Sequence, residues 1–272
     1  MCKKVLVLLA LVFVLSAPSF ASAADVTPFA IYNNSVLNKV VQSNQLVVGM
    51  EVEFWPFEFA DEQGKPTGFD VEIAQTMADE LGVELVIKDM EWGGLIPALQ
   101  SGKVDMVISG MTGTLERAKS ITFSDPYFTT GLCALVSKKS SPEVTDVMQL
   151  NAKGKVLALK TGTTADLIAT KRFTEAEIRR FKDETACVRE VVEGRADGFF
   201  YDQISIAKHQ KQNPESTKAL LKPFTYEPYS IAMRKGDFDF WNWINRYLET
   251  IRADGRYDAL FTKYFADIQA AQ

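Results

Sequence analysis

The sequence predicts an α/β protein made of two successive sets of strands and helices around mainly parallel sheets. Three observations point there. Apolar runs of strand length alternate with segments whose apolar residues recur at helical spacing, starting at Leu46-Val47-Val48-Gly49-Met50. A second set begins after the polar stretch Lys138-Lys139-Ser140-Ser141-Pro142, with Val156-Leu157-Ala158-Leu159 as its first strand. Each set also carries a loop rich in hydroxyls and glycine after an apolar strand, Ser109-Gly110-Met111-Thr112-Gly113-Thr114 in the first and Lys160-Thr161-Gly162-Thr163-Thr164-Ala165 in the second. In open α/β sheets, loops at the carboxyl ends of strands are where ligands bind.

The elements follow in order. Residues 34–44 have a loose helical pattern through Val36, Leu37, Val40 and Val41, with Asn44 as the stop. The strand ending at Met50 runs into Glu51-Val52-Glu53-Phe54-Trp55-Pro56-Phe57-Glu58-Phe59, a loop whose proline forbids regular helix. Asp61-Glu62-Gln63-Gly64-Lys65-Pro66 is a polar turn. Phe69, Ile73, Met77 and Leu81 recur at helix spacing, Gly82 ends that helix, and Leu85-Val86-Ile87 is the next strand. A helix around Leu95 to Leu99 follows Trp92-Gly93-Gly94, whose glycines put Trp92 in a loop, and a buried strand covers 105–109. In the second set Val188, Val191 and Val192 lie on one side of a helix, and Gly198-Phe199-Phe200-Tyr201 is a strand ending at Asp202. Tyr229-Ser230-Ile231-Ala232-Met233 is a return crossing. From Asp237 on, Phe240, Trp243, Ile244, Tyr247, Leu248 and Ile251 form the apolar stripe of a final helical region.

The first residues have a different character. Lys3 and Lys4 precede an apolar run from Val5 to Leu15, and Ala21-Ser22-Ala23 fits the small-residue rule for signal peptidase. Residues 1–23 therefore read as a secretory signal peptide, because the apolar run is much shorter than the roughly 20 residues of a membrane span. Cys2 precedes that run and is no lipoprotein anchor, so the mature chain is expected to be exported and soluble. Removing the two leader lysines takes the formal net charge from -5 to -7, which argues against nucleic acid or an anionic membrane as partner. Only Cys133 and Cys187 remain after the leader. Export permits a disulfide, but two buried thiols is the simpler reading and the pairing stays open.

The richest stretch is 105–130. An apolar strand ends at Ser109-Gly110, small residues follow, and Thr114-Leu115-Glu116-Arg117 opens a short turn. Small residues let backbone approach a ligand, and free amides at a strand-to-helix turn attract an anion. Arg117 adds a planar fork of donors suited to a carboxylate. The alternative is an ordinary α/β loop with a surface arginine.

Together with Gly68-Phe69-Asp70-Val71-Glu72-Ile73-Ala74, this stretch closely resembles the bacterial periplasmic solute-binding proteins of family 3, which bind polar amino acids. The resemblance runs from about Gln45 to near the C-terminus. It implies the type II periplasmic binding protein fold, two α/β lobes joined by two crossing hinge strands. Carried over, lobe one is 24–132 with 230–272, lobe two is 137–225, and the hinges lie near 128–136 and 225–233. It further implies a periplasmic, monomeric protein with no cofactor, metal or catalytic residue. Such a protein closes over a free amino acid or close analogue and delivers it to an inner-membrane ABC permease complex.

A zwitterion needs donors for its carboxylate and a carboxylate for its ammonium, since neither charge leaves water cheaply unpaired. By the resemblance Arg117, Thr112 and Thr164 serve the ligand carboxylate, although Thr164 on its own residues is a plain N-cap or loop threonine. Asp202 serves the amine, with the Gly110 carbonyl as helper and Glu51 as a further acid. On residues alone an N-cap for the following helix is the simpler role for Asp202, and Glu51 would face solvent. Phe54 and Trp92 match the aromatic positions that sandwich the ligand side chain in relatives, and Trp55 and Tyr201 are further wall residues. Lys160, at the mouth of lobe two, can meet a ligand amide or carboxylate, or lie at the surface.

Two other functions share this scaffold. An exported cyclohexadienyl dehydratase would place an acid and a lysine near prephenate or arogenate, and Lys160, Glu51 and Glu53 leave that open. Asp202 argues against prephenate, which has no amine. His209, the single histidine, lies in a polar helical stretch expected at the surface, so metal chemistry has little to work with. An amino-acid sensor without a transport role is the third possibility.

Overall fold

The computed structural model describes residues 35–269, so the leader expected over 1–23 lies outside the described residues. Helix α1 (Val36–Ser43) ends at Asn44, which takes the left-handed conformation. It leads into β1 (Gln45–Met50). The segment read as loop and turn is instead a small antiparallel sheet of β2 (Glu53–Phe54), β3 (Glu58–Ala60) and β4 (Pro66–Thr67). Its proline excludes helix but tolerates short edge pairing, which the sequence reading did not allow for. Helix α2 (Phe69–Leu81) buries Phe69, Ile73 and Met77 and stops at Gly82, and β5 (Glu84–Asp89) follows. Helix α3 (Trp92–Gln100) begins at Trp92 itself, so Gly93 and Gly94 are helical and Trp92 is not in a loop. Helix-starting positions tolerate glycine because the first N–H groups need no intrahelical partner.

Then come β6 (Met106–Val107), a 3₁₀ turn at Arg117–Lys119, β7 (Thr122–Thr130) and β8 (Leu132–Ser137). The second set holds β9 (Val156–Lys160), α4 (Thr164–Arg172), β10 (Glu177–Phe181) and α5 (Glu184–Glu193). It continues with β11 (Gly198–Asp202), α6 (Gln203–Gln212) and β12 (Thr217–Leu220). The return strand β13 (Glu227–Met233) precedes α7 (Phe238–Ala253) and α8 (Arg256–Gln269).

Two five-stranded sheets result, ordered β5-β1-β6-β13-β7 and β10-β9-β11-β8-β12. They share a plan. In each, three strands run parallel and two more join antiparallel, so the sheets are mixed and not mainly parallel. The antiparallel strands come from the crossings: β7 of the first sheet passes through Gly131 into β8 of the second, and the chain returns after β12 into β13. This is the two-lobed α/β architecture with crossing strands. At the crossing the backbones nearly touch, and a Cβ on Gly131 would lie 2.6 Å from the Thr225 carbonyl oxygen. Only glycine admits that approach.

Each lobe has its own apolar centre. The first packs Phe57, Phe69, Tyr127 and Met77 against the C-terminal helices through Phe240, Tyr247 and Phe265. The second is divided by its sheet, with Phe173 and Phe200 on one side and Cys133, Cys187 and Phe199 on the other. Both cysteines are buried free thiols. The return of the C-terminal helices to the first lobe places the loops after β1, β6 and β9 and the start of α6 around one cleft.

Candidate functional site

A cavity with about 450 Å³ of empty space, open solvent at its mouth included, lies between the lobes. Its wall brings together Glu51, Phe54, Trp92, Gly110, Thr112 and Arg117 from the first lobe with Thr164, Tyr201 and Asp202 from the second. Two expected residues do not line it. Trp55 lies outside, with Lys208 of the opposite lobe 5.3 Å above its ring. Lys160 is buried behind Glu51 and pairs with it.

One corner of the cavity is built on Arg117. The Thr114 hydroxyl accepts from the Arg117 amide at 3.1 Å and starts the 3₁₀ turn. One guanidinium nitrogen donates to the Thr112 carbonyl (2.9 Å), the other to the Gly162 carbonyl of the second lobe (3.2 Å). Of the five N–H groups of an arginine, these two bonds leave three for a ligand. The Trp92 ring lies under the guanidinium at 5.2 Å and fixes its plane. Burial lowers the Arg117 pKa to about 10, opposed by the nearby Glu227, so the group stays charged at neutral pH. Glu227, which the sequence reading missed, accepts from the Thr112 hydroxyl at 2.7 Å. Its signal was an acid in an otherwise apolar return strand. Thr164 is the first residue of α4, and the cap is the preceding Thr163, whose hydroxyl accepts from the Asp166 amide. The N-cap role considered for Thr164 therefore moves one residue back.

Asp202 forms the helix cap read for it and leaves one oxygen over. Oδ1 caps α6, accepting from the amides of Ile204 (3.0 Å) and Ser205 (3.1 Å). Oδ2 is buried with no hydrogen-bond partner. Burial, and next the charge of Glu184, push the Asp202 pKa up to about 7 against those two amide bonds. A buried carboxylate oxygen without a donor is unfavourable, and Asp202 lines the cavity. Across the cleft Gly110 adopts φ +52°, and a Cβ there would meet the Phe54 ring at 2.4 Å. Glycine is required by both backbone angle and space.

The remaining wall is aromatic and charged. Phe54 meets Tyr201 of the opposite lobe edge-on at 5.7 Å. Glu51 is buried, not solvent-facing; it accepts from the Trp92 amide (3.0 Å) and is ion-paired with Lys160, which is 2% exposed and so not a surface lysine. Burial raises the Glu51 pKa and Lys160 opposes the shift. The Trp92 indole donates to the Gly162 carbonyl at 3.1 Å. With Arg117, that carbonyl collects two donors from the other lobe, so the lobes are closed on each other. Glu58, Ser109 and Tyr229 also line the cavity and were missed. The acid of Phe57-Glu58-Phe59, set between two apolar aromatics, was the available clue.

His209 is half-buried and bonded to Glu184 at 2.6 Å, not a surface residue as expected. The acid facing it from α5 draws it in. Among the described residues no cluster of metal-ligating side chains exists and no helix is long and apolar enough to cross a membrane.

Known proteins share this chain's sequence and fold. Residues 46–267 match the bacterial extracellular solute-binding proteins, family 3. A "Probable histidine-binding protein" of Neisseria gonorrhoeae is 37% identical over 80% of this chain and 82% of its own length. The L-cystine-binding protein TcyJ of Escherichia coli is 31% identical over 93% of this chain and 94% of its own. Among solved structures, an ancestral amino acid-binding protein, described as a precursor of cyclohexadienyl dehydratase, superposes with a TM-score of 0.78. It is 38% identical and covers 85% of this chain and 99% of its own. With that breadth of match on the two-lobed fold and cleft described above, the chain belongs to the bacterial extracellular solute-binding proteins of family 3.

Proposed function

We propose that this chain is a periplasmic, high-affinity binding protein for a free amino acid, which it delivers to an inner-membrane ABC permease complex. Its relatives are named as binding proteins for amino acids, and the cleft offers what a zwitterion needs. The observation that carries the reading is the pair of unfilled charges: Asp202 Oδ2 without a donor, and Arg117 with three N–H groups to give. In this reading Arg117, Thr112 and Thr164 hold the ligand carboxylate, and Asp202 with the Gly110 carbonyl holds the ammonium. Phe54, Trp92 and Tyr201 wall the side chain.

Glu51 stands at the side-chain end, with Lys160 buried behind it. An amide group can donate to Glu51, whereas a cationic side chain has to compete with Lys160 for it. The pair therefore favours a neutral polar side chain.

Function follows from closure. The two lobes turn about 128–136 and 225–233, and a ligand bonded to both favours the closed form. The dehydratase alternative lacks support here: Glu51 is held by Lys160 and the Trp92 amide, and Asp202 asks for an amine that prephenate does not carry.

A thermal-shift screen of protein stripped of ligand by unfolding and refolding tests this. The panel holds the twenty amino acids, prephenate and arogenate. Binding to the native state raises the melting temperature, and one or a few amino acids should do so. A shift with prephenate alone would point to the enzyme, and silence from every amino acid would refute the proposal.

A further inference from the structure

Under the cavity floor lie two acids that the amino-acid reading does not use. Glu58 lines the cavity and is 1% exposed, and Asp70, behind it at the start of α2, is 0% exposed. Both hold the same short segment. The Ser109 hydroxyl accepts from the Glu51 amide (3.0 Å) and donates to Glu58 Oε1 (2.6 Å). The next residue, Gly110, donates its amide to Asp70 Oδ2 (2.9 Å), which also accepts from the Tyr127 hydroxyl (2.6 Å). Each acid thus spends one oxygen on donors. The other oxygens, Glu58 Oε2 and Asp70 Oδ1, are buried without a partner. The two acids lie side by side, since they bond the consecutive residues Ser109 and Gly110 and the Asp70 amide donates to the carbonyl of Phe57, next to Glu58, at 2.8 Å.

Two ionised carboxylates in that position would repel and leave two buried acceptors with no donor between them. One proton cures both faults. We propose that Glu58 and Asp70 share a single proton between Oε2 and Oδ1, and that this shared proton fixes the Ser109–Gly110 floor of the cleft. The pair then carries one negative charge in place of two. Ser109 and Gly110 are clamped from below, and the Gly110 carbonyl is held where the amine seat needs it.

The surroundings agree. The titratable groups facing the pair are Glu51 beyond β1, Tyr127 of β7, Tyr201 of β11, Tyr229 of β13 and Tyr257 of α8. None is a cation, and Lys160 is committed to Glu51. Burial raises both carboxyl pKa values, Glu58 the more so because Asp70 lies beside it.

Amide substitutions test the proton count. Glu58→Gln puts an N–H where the shared proton sits, and so does Asp70→Asn, so each single variant should fold and keep the clamp. The double variant places two NH₂ groups face to face and should lose far more melting temperature than the two singles together. The pH profile gives a second measure. The native pair keeps a proton that an unfolded glutamate releases near pH 4.5, so stability falls as pH rises from there until the pair itself ionises, and stays low above that. Through that window the wild type should lose about 3–5 °C per pH unit relative to Glu58→Gln.

All melting is read without ligand, so failure of the amino-acid screen leaves this test intact. A wild-type and Glu58→Gln difference that does not change with pH would overturn the proposal. So would a double variant as stable as the singles, or failure of both single variants to fold.

Discussion

Asp202→Asn separates the helix cap that this side chain forms from the amine seat proposed for it. Asparagine keeps an oxygen for the amides of Ile204 and Ser205, so the α6 cap survives. The second oxygen becomes NH₂, which cannot receive an ammonium. The wild-type carboxyl is raised from 3.8 to about 7 by burial. At about 1.4 kcal/mol per unit, the ionised form costs the closed protein on the order of 4 kcal/mol above pH 7. An unpaired buried amide costs about 1–3 kcal/mol, which leaves roughly 1–3 kcal/mol in favour of asparagine. The stripped variant should therefore melt several degrees higher than wild type at pH 8. Its affinity should fall by about 30-fold or more, the loss of one desolvated charge pair worth about 2–5 kcal/mol. Stability and binding thus move in opposite directions.

The same carboxyl sets a pH dependence. Amine binding needs Asp202 ionised, so wild-type affinity should weaken as pH drops below about 7, approaching tenfold per unit. Asp202→Asn should be flat there. Calorimetric titration from pH 5 to 8, with melting curves on stripped protein, reads both effects. A variant that melts lower than wild type yet binds equally well would refute the reasoning and reduce Asp202 to a helix cap.

Three further outcomes follow from the geometry. Arg117→Ala should weaken amino-acid binding at least tenfold, about 1.4 kcal/mol or more, and Arg117→Lys should not restore it, because an ammonium cannot span Thr112, Gly162 and a carboxylate together; equal titrations for Lys and wild type would count against the fork. Lys160→Ala leaves Glu51 buried and unpaired, a loss of about 3–5 kcal/mol in closed-state stability. Competition binding should then show arginine and lysine gaining at least tenfold on glutamine, and an unchanged ratio would remove Lys160 from specificity. Gly110→Ala forces a methyl toward the Phe54 ring at a positive φ, costing about 1–3 kcal/mol; a melting temperature within a degree of wild type would show that the cleft floor yields.

The periodic elements were legible. Phe69, Ile73, Met77 and Leu81 mark α2, and the stripe from Phe240 to Ile251 marks α7, because each buries one face against its own sheet and local spacing records that. The mini-sheet at Glu53–Thr67 and the helical start at Trp92 were not, since proline and glycine there suppress the signal on which the pattern depends. Strands β10 and β12 escaped for a related reason: Glu177-Ile178-Arg179-Arg180-Phe181 and Thr217-Lys218-Ala219-Leu220 lie at sheet edges and carry polar residues.

At the site, motif resemblance pointed to Arg117, Thr112 and Asp202, whose residue types already state their chemistry. What sequence cannot express is which second residue each charge meets. Glu51 finds Lys160 109 positions away, and Thr112 finds Glu227 115 positions away. The first pair exists only where the two lobes meet at the cleft, and the second only after the return crossing sets β13 beside the first lobe's loops. The sequence by itself determined the alternation of strands and helices, the donor and acceptor types in the loops, and the family. Tertiary structure alone decided that Asp202 caps with one oxygen and leaves the other bare, and that Glu58 and Asp70 are buried together under Ser109 and Gly110. The reason is that burial and partner are properties of space, and a carboxylate reads the same in the chain whether water or another carboxylate stands beside it.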